Sequence, residues 1–380
     1  MNSGDDATGQ TKPTYTWLAN PVMALVLLFT PAVFSIINAN SFADWLYDPL
    51  LNWLSPLLEF IGRWPALWSA LFGGDYGLVA MLPFLLLYAL PTVLVFAVIL
   101  SVYRSTGVID LISTQLHPYL KHVGISGQDL VRVVMGFGCN VPAVVSSRGC
   151  DQCSRGACIS AISFGAACSY QLPATFAVFS AAGYPEMGLC YLLLLTLTTL
   201  IYLRFTTPKA VRFANRLKTQ TFRTTIQKPN GRQVWADLVE NFQDFIVTAF
   251  PIFVVICFGA ALLDWTGVLS MFTKALSPVM GLFNLPGEAA TAVVLGSVRK
   301  DGIAIGLLNQ EEGILRVALE TPVQALTAVY LAGVLLPCIV TVTTIVKEMR
   351  WKFALLLCGK QMLWASAFSL MIAWGGALFV

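Results

Sequence analysis

Gly136-Phe137-Gly138-Cys139-Asn140-Val141-Pro142-Ala143 interrupts an apolar stretch, 129–146, that would otherwise read as one more buried helix. Two glycines and a proline within seven residues oppose a continuous helix, because glycine costs backbone entropy and proline removes a donor. The chain must break here, and the break frees backbone carbonyls. Lipid does not tolerate such irregular backbone unless it is buried in protein or lines a cavity. Cys139 and Asn140 sit at the interruption and can point into that cavity. A thiolate is a soft ligand suited to late first-row metals, and an amide oxygen is a harder one.

The surroundings of this motif are those of a membrane protein. Of 380 residues, 57% are hydrophobic and 11% charged, and mean hydropathy is +0.73. A soluble domain carries about 25% charged residues, because its surface faces water. The net charge of +3 gives no reason to expect nucleic acid. The nine cysteines fall partly inside apolar segments, which fits buried thiols or metal ligands better than a disulfide scaffold. Residues 1–17 read as a short polar tail without a signal-peptide head.

A spanning helix needs about 20 apolar residues. Seven stretches qualify: 19–38, 77–103, 157–182, 186–205, 242–263, 321–346 and 353–378. Two shorter ones, 129–146 and 289–309, are broken in the middle. Loop charges set the sides. The stretch 204–232 holds eight Lys and Arg and no acid, which predicts a cytoplasmic loop. The acidic stretches 40–76 and 309–320 predict the outside, and 104–132 and 146–156 the inside. These signs agree only if both broken segments enter and leave on one face. The fold class expected is therefore all-α: a polytopic membrane bundle of about seven spans plus two re-entrant segments. Its N-terminus is inside. Residues 18–205 form one membrane half, 206–240 a basic loop and 241–380 a second half. The loop suits anionic lipid, with docking of a separate GTPase as the sharper alternative.

The halves align without a gap at an offset of 160. Pro91 falls on Pro251, Thr106-Gly107-Val108 on Thr266-Gly267-Val268, Pro118 on Pro278, Gly127 on Gly287, and Gly136 on Gly296. Under the loop-charge topology the copies are inverted, and interrupted segments at matching positions point to a transport site. The second break holds Gly296, Arg299, Lys300, Asp301 and Gly302. Buried charges need partners, so Lys300 and Asp301 are expected to pair with each other or with Arg299. Two readings stand for them: a cation site with a displaceable counter-charge, or a static ion pair. The helix after the first break carries Cys168-Ser169-Tyr170-Gln171, and its counterpart carries Pro337-Cys338. Cys150, Cys153 and Cys158 follow the first motif at the expected cytoplasmic mouth, where metal contact and redox sensing are both open. His117 and His122 lie on an amphipathic stretch, 108–122, expected at the membrane surface with both rings in water. Two histidines outside the breaks leave no catalytic constellation, so an enzyme is not expected.

GFGCNVPAV, preceded by Gly124-Ile125-Ser126-Gly127, resembles the membrane portion of the bacterial ferrous iron transport protein B family. The likeness runs from Asp44-Trp45-Leu46 through the Gly136–Pro142 and Pro337-Cys338 motifs to the last helix. It implies two gate, or nucleoside-recognition, repeats, the first at 77–205. It also implies metal ligands at Cys139, Cys168 and Cys338. The GTP-binding domain of that family has no counterpart in these 380 residues, since no G-x-x-x-x-G-K-[ST] occurs. The family's Ala-Lys-Glu is Arg299-Lys300-Asp301 here.

The resemblance implies a permease for a divalent metal ion, ferrous iron first, in the bacterial cytoplasmic (inner) membrane. Fe2+ is then the cargo and no cofactor is permanently bound. The partners expected are the metal ion, the bilayer, and a separate GTPase or small accessory protein. A homo-oligomer is compatible. A carrier for a nucleoside-like solute, favoured by Tyr170-Gln171, and a non-transporting sensor or scaffold built on the cysteine triplet are the competing readings.

Overall fold

The computed structural model describes residues 20–74, 76–83, 86–87, 90–150, 154–168, 171–217, 227–300, 302–308, 315 and 317–376. Asp301, Cys153 and Tyr170 lie outside the described residues. The described residues are almost wholly helical, with one isolated antiparallel bridge, Leu308 to Leu315, and no strand.

The first half opens with α1, Pro21–Gly62, whose Asn20 cap accepts from the Val22 amide. Its 42 residues span about 63 Å, twice a bilayer core. The 19–38 stretch does not end as a separate helix: α1 continues through the acidic stretch to Gly62. Asn38, Ser41, Asp44, Asp48, Asn52, Ser55 and Glu59 recur every three or four residues, which makes them one polar face of a continuing helix. After α2, Ala66–Gly73, and α3, Leu78–Pro83, the chain makes a π-helical turn at 86–87. It then enters α4, Leu90–Thr106. The expected 77–103 stretch is helical at Leu78–Pro83, 86–87 and from Leu90 to Thr106, with Pro83 and Pro91 flanking the π-helical turn. Next come α5, Val108–Leu120, α6, Gly127–Met135, and α7, Asn140–Ser146. They are followed by α8, Arg155–Gly165, α9, Gln171–Ala181, and α10, Met187–Thr206. The expected 157–182 span is two helices, with non-helical backbone at 166–168 after α8. His117 also departs from expectation. Leu111, Ile112, Leu116 and Leu120 of α5 are buried, and both ring nitrogens of His117 are buried with them. His122 is exposed.

Two polar helices, α11, Lys209–Leu217, and α12, Gly231–Asp244, lead into a π-helical turn at Phe245–Ala249. The second half then repeats the first: α13, Phe250–Trp265, α14, Val268–Met280, α15, Ala290–Val298, α16, Gly302–Leu307, α17, Pro322–Val334, and α18, Ile339–Met349. The last helix is α19, Trp351–Gly376. The offset of 160 holds at the level of backbone geometry. Helices α5 and α14 have the same bounds after the shift, each entered through a left-handed glycine: Gly107 at φ 82° and Gly267 at φ 73°. A side chain with a Cβ is disfavoured in that region, which is why Thr-Gly-Val recurs. The chain bends there by 86° in the first copy and 80° in the second.

Both broken segments are hairpins. In the second copy, α16 folds back on α15 so closely that a Cβ on Gly302 would lie 2.5 Å from the Leu295 carbonyl carbon. One on Gly306 would lie 2.4 Å from Ala292 Cα. In the first copy Arg132 of α6 donates to the Ser146 and Gly149 carbonyls beyond α7, at 3.2 and 2.9 Å. The hairpins and their neighbours form the main core, with Val134, Ala143, Val144, Ile162, Ile303, Leu307 and Ala328 all buried.

The outer helices face the other way. On α10, Leu189, Leu193 and Leu197 are 65%, 64% and 56% exposed at a spacing of four residues, a stripe built for lipid. Met187–Thr206, Trp351–Gly376 and the run Pro322–Met349, which contains the interruption at 335–338, are long and apolar enough to cross a bilayer. Two bent pairs, 97–120 and 253–283, bring the number to five among the described residues. The other two expected spans, 19–38 and 157–182, are the start of α1 and the broken pair α8–α9.

Candidate functional site

Each half contributes two helix breaks, and they meet at the centre. The α6–α7 hairpin packs against α18, and α16 packs against α9. The re-entrant helix of each half thus lies on the broken helix of the other. Cys139 is the N-cap of α7, with extended backbone at φ −152°, ψ 135°. Its counterpart under the 160 offset, Arg299, closes α15 with nearly the same angles, φ −141°, ψ 144°. Cys338 is the N-cap of α18, and its Sγ lies 3.0 Å from the Thr341 hydroxyl. Cys168 precedes α9, and its carbonyl accepts from the Gln171 and Leu172 amides. Cys139 lies within electrostatic reach of both Cys168 and Cys338.

Asn140 stands beside Cys139 at 3% exposure, and its Oδ1 is buried with no hydrogen-bond partner among the described residues. An orphaned buried acceptor costs about 1–3 kcal/mol. Buried polar atoms are normally paired, so this oxygen is suited to receive a donor or a cation. Gly136 makes room for it, since a Cβ there would come 2.9 Å from that oxygen and 2.6 Å from Ala166 Cβ. Gly138 lies in the turn between the hairpin arms, its amide donating to the Met135 carbonyl at 3.0 Å. Pro142 sits in the first turn of α7, where a missing amide proton is harmless. Pro337 lies in the interruption between α17 and α18, and Gly302 begins α16. Gly296 lets α15 approach α17, since a Cβ would meet the Ala332 carbonyl at 2.8 Å.

Lys300 is 4% exposed, and its Nζ donates to the Gly333 and Leu336 carbonyls at 2.7 and 2.6 Å. Both acceptors stand at the end of α17, where the helix stops. Lys300 also lies within electrostatic reach of Cys338 and Cys168. Arg299, by contrast, turns to another buried cluster: its guanidinium donates to Met81 Sδ and lies 5.3 Å from the Phe253 ring. Replacing Lys300 by methionine leaves two carbonyls without that donor, at about 1–3 kcal/mol each, partly offset by sparing a buried charge. We expect Lys300→Met to lower the unfolding midpoint in detergent, and manganese(II) to restore part of the loss. Scanning fluorimetry with and without the ion checks both.

A second group lies at the base of the first hairpin. Ligand atoms of Asp129, Cys150 and Cys158 all fall within 4.8 Å of one another. Sequence alone points to Cys150 and Cys158, whereas Asp129 reads there as the mere edge of the broken segment. Its signal is the Ser126-x-x-Asp129 capping box, which ties the carboxylate to the first turn of α6. Glu348, at the end of α18, draws Arg148 and Arg155 together in two ion pairs with the same side of the molecule.

The Gate family, described as nucleoside recognition, matches residues 86–183 and 246–352, more than half of the chain. The two matched segments begin 160 residues apart. Among curated proteins, the chain is 25% identical to the Fe(2+) transporter FeoB of Methanocaldococcus jannaschii over 294 residues, covering 67% of this chain and 42% of the relative. It is 20% identical to the Fe(2+) transporter FeoB of Staphylococcus aureus strain COL, covering 97% of this chain and 55% of the relative. With the protein of that name from Legionella pneumophila strain Philadelphia 1 the figures are 24%, 58% and 32%. The chain spans about half or less of the length of these curated relatives. No solved structure matches it.

Proposed function

The chain belongs to the Gate, or nucleoside-recognition, family, and from that premise we propose that it is a membrane permease for a divalent metal ion, with ferrous iron as the cargo. The observation that carries this reading is that Cys139, Cys168 and Cys338, thiols from both halves, each stand at a helix break, with α7 packed on α18 and α16 on α9. The orphaned Asn140 oxygen adds a harder ligand, and a mixed sulfur and oxygen set suits a borderline ion such as Fe2+ better than magnesium. Lys300, held on the carbonyls at the end of α17, would be the charge that an entering ion displaces. Asp301 would supply a carboxylate to the same path. The relatives named Fe(2+) transporter support iron as the ion. On this reading the chain lies in the bacterial cytoplasmic membrane with its N-terminus inside. Iron passes through as substrate, not as a resident cofactor, and membrane potential or a partner GTPase supplies the energy.

Of the Tyr170-Gln171 pair that favours the nucleoside reading, Tyr170 lies outside the described residues and Gln171 is engaged within the core. Gln171 Nε2 donates to the Tyr191 hydroxyl at 2.6 Å, and the Tyr330 hydroxyl donates to Thr198 at 2.8 Å, all four side chains being buried. These amide and phenol groups are spent on one another. The deciding experiment is uptake into proteoliposomes kept anaerobic and reduced, with ferrous iron and uridine offered separately. We expect iron to accumulate above protein-free vesicles and uridine not to. Uridine uptake without iron uptake would overturn the assignment.

A further inference from the structure

We propose that Asp129, Cys150 and Cys158 form a second binding site for one divalent transition-metal ion, at the base of the first hairpin and separate from the central thiols. The three ligand atoms converge within 4.8 Å, and two sulfurs with one carboxylate oxygen match the ligand chemistry of zinc, ferrous iron or cobalt. The residues come from three elements that the fold holds together. Asp129 is fixed in the first turn of α6, where its Oδ2 accepts from the Ser126 amide at 2.9 Å. Cys158 lies one turn into α8, fully buried, with its Sγ 3.8 Å from the Asp129 carbonyl. Cys150 follows the short helical turn 147–149, and its Sγ lies within 4.8 Å of the Cys158 Sγ.

The charge balance selects the ion. With both thiols ionised the site carries three negative charges, and such a cluster is not sustained in a buried place without compensation. Arg132 supplies one positive charge: its Nη1 lies 3.5 Å from Asp129 Oδ1. Its Nε and Nη2 are anchored on the Ser146 and Gly149 carbonyls. Gly149 is a glycine where this matters, because a Cβ would come 2.8 Å from Arg132 Nη2. A divalent ion supplies the remaining two charges and leaves the site neutral. On binding, each S–H bond gives way to an S–metal bond, and two protons pass to water. Three protein ligands leave a fourth position of a tetrahedral ion to water.

This inference does not depend on the permease reading. A chain that binds metal here yet moves nothing across vesicles would uphold the site and sink that reading. The test uses the full chain in detergent with a non-thiol reductant, titrated with Co2+ as the probe. We expect a thiolate-to-cobalt charge-transfer band that survives in a Cys139→Ala/Cys338→Ala double variant. In that background, Cys150→Ser and Cys158→Ser should each weaken cobalt binding at least about tenfold, the scale on which even supporting residues around a metal act. Cys150→Ser serves where Cys158→Ser fails to fold, because Cys150 lies at the margin of the core. Loss of the whole band in the double variant, or no change on removing Cys150 or Cys158, would overturn the proposal.

Discussion

Cys139→Ala and Cys338→Ala are each expected to reduce ferrous iron uptake in proteoliposomes to the level of protein-free vesicles, while folded protein is recovered in near-normal yield. The two halves of that result come from different facts. Cys139 is only partly buried and caps a helix through its backbone rather than its side chain. Removing its sulfur therefore leaves little cavity, and a change of this kind costs about 1 kcal/mol or less. Cys338 gives up one contact, with Thr341, a loss of similar size. A ligand is different. A soft ion that crosses by exchanging water for sulfur meets a barrier when one sulfur is missing, because the neighbouring groups cannot move to replace it. Cys190→Ala, on the exposed face of α10, is the control and should transport as the parent does. Near-full uptake in both variants would remove the thiols from the path.

Gly306→Ala is expected to prevent the hairpin of α15 and α16 from closing, although it adds a single methyl group. Its new Cβ would meet Ala292 Cα and N at 2.4 Å, backbone against backbone. Overpacking costs about 1–3 kcal/mol where side chains can give way, and here they cannot, so the two helices must separate. Size-exclusion profiles after mild heating should show loss of the monodisperse species, and Gly306→Val should yield none. Gly259→Ala, in α13 with no atom within 4 Å of the new carbon, should instead be neutral or slightly stabilising. Equal behaviour of the two variants would mean that the close hairpin does not form.

How far these elements are legible in the sequence depends on whether a local rule governs them. The bends at Gly107 and Gly267 are legible, because a left-handed turn demands glycine and both copies keep it. The breaks at 136–139 and 299–301 are legible for similar reasons, glycine and charge being poor company for a lipid-facing helix. The non-helical backbone at 166–168 is not. Ala166, Ala167 and Cys168 contain no breaker, and the helix stops there through distant contacts. Gly165 is pressed against Thr199, and Gln171 is tied to Tyr191. The long helix α1 is hidden because charges that count as a loop signal also fit a helical stripe. The partner of Cys150 and Cys158 is hidden because Asp129 lies 21 and 29 positions away. Asp301, the carboxylate of the second break, lies outside the described residues, and its part in the path rests on the proposal above.

The packing of α7 on α18 also has a consequence in time. Cys139 and Cys338 are separated by 199 positions. At ribosomal speeds of about 5–20 residues per second, the thiol on the first hairpin waits roughly 10–40 s before its partner helix is made. During that interval the nascent first half holds a soft ligand, an orphaned amide oxygen and an uncovered helix face. A chaperone, an insertase or a chance metal ion can reach them before α18 covers them. The order of synthesis therefore makes the exposure of these ligands a variable of assembly.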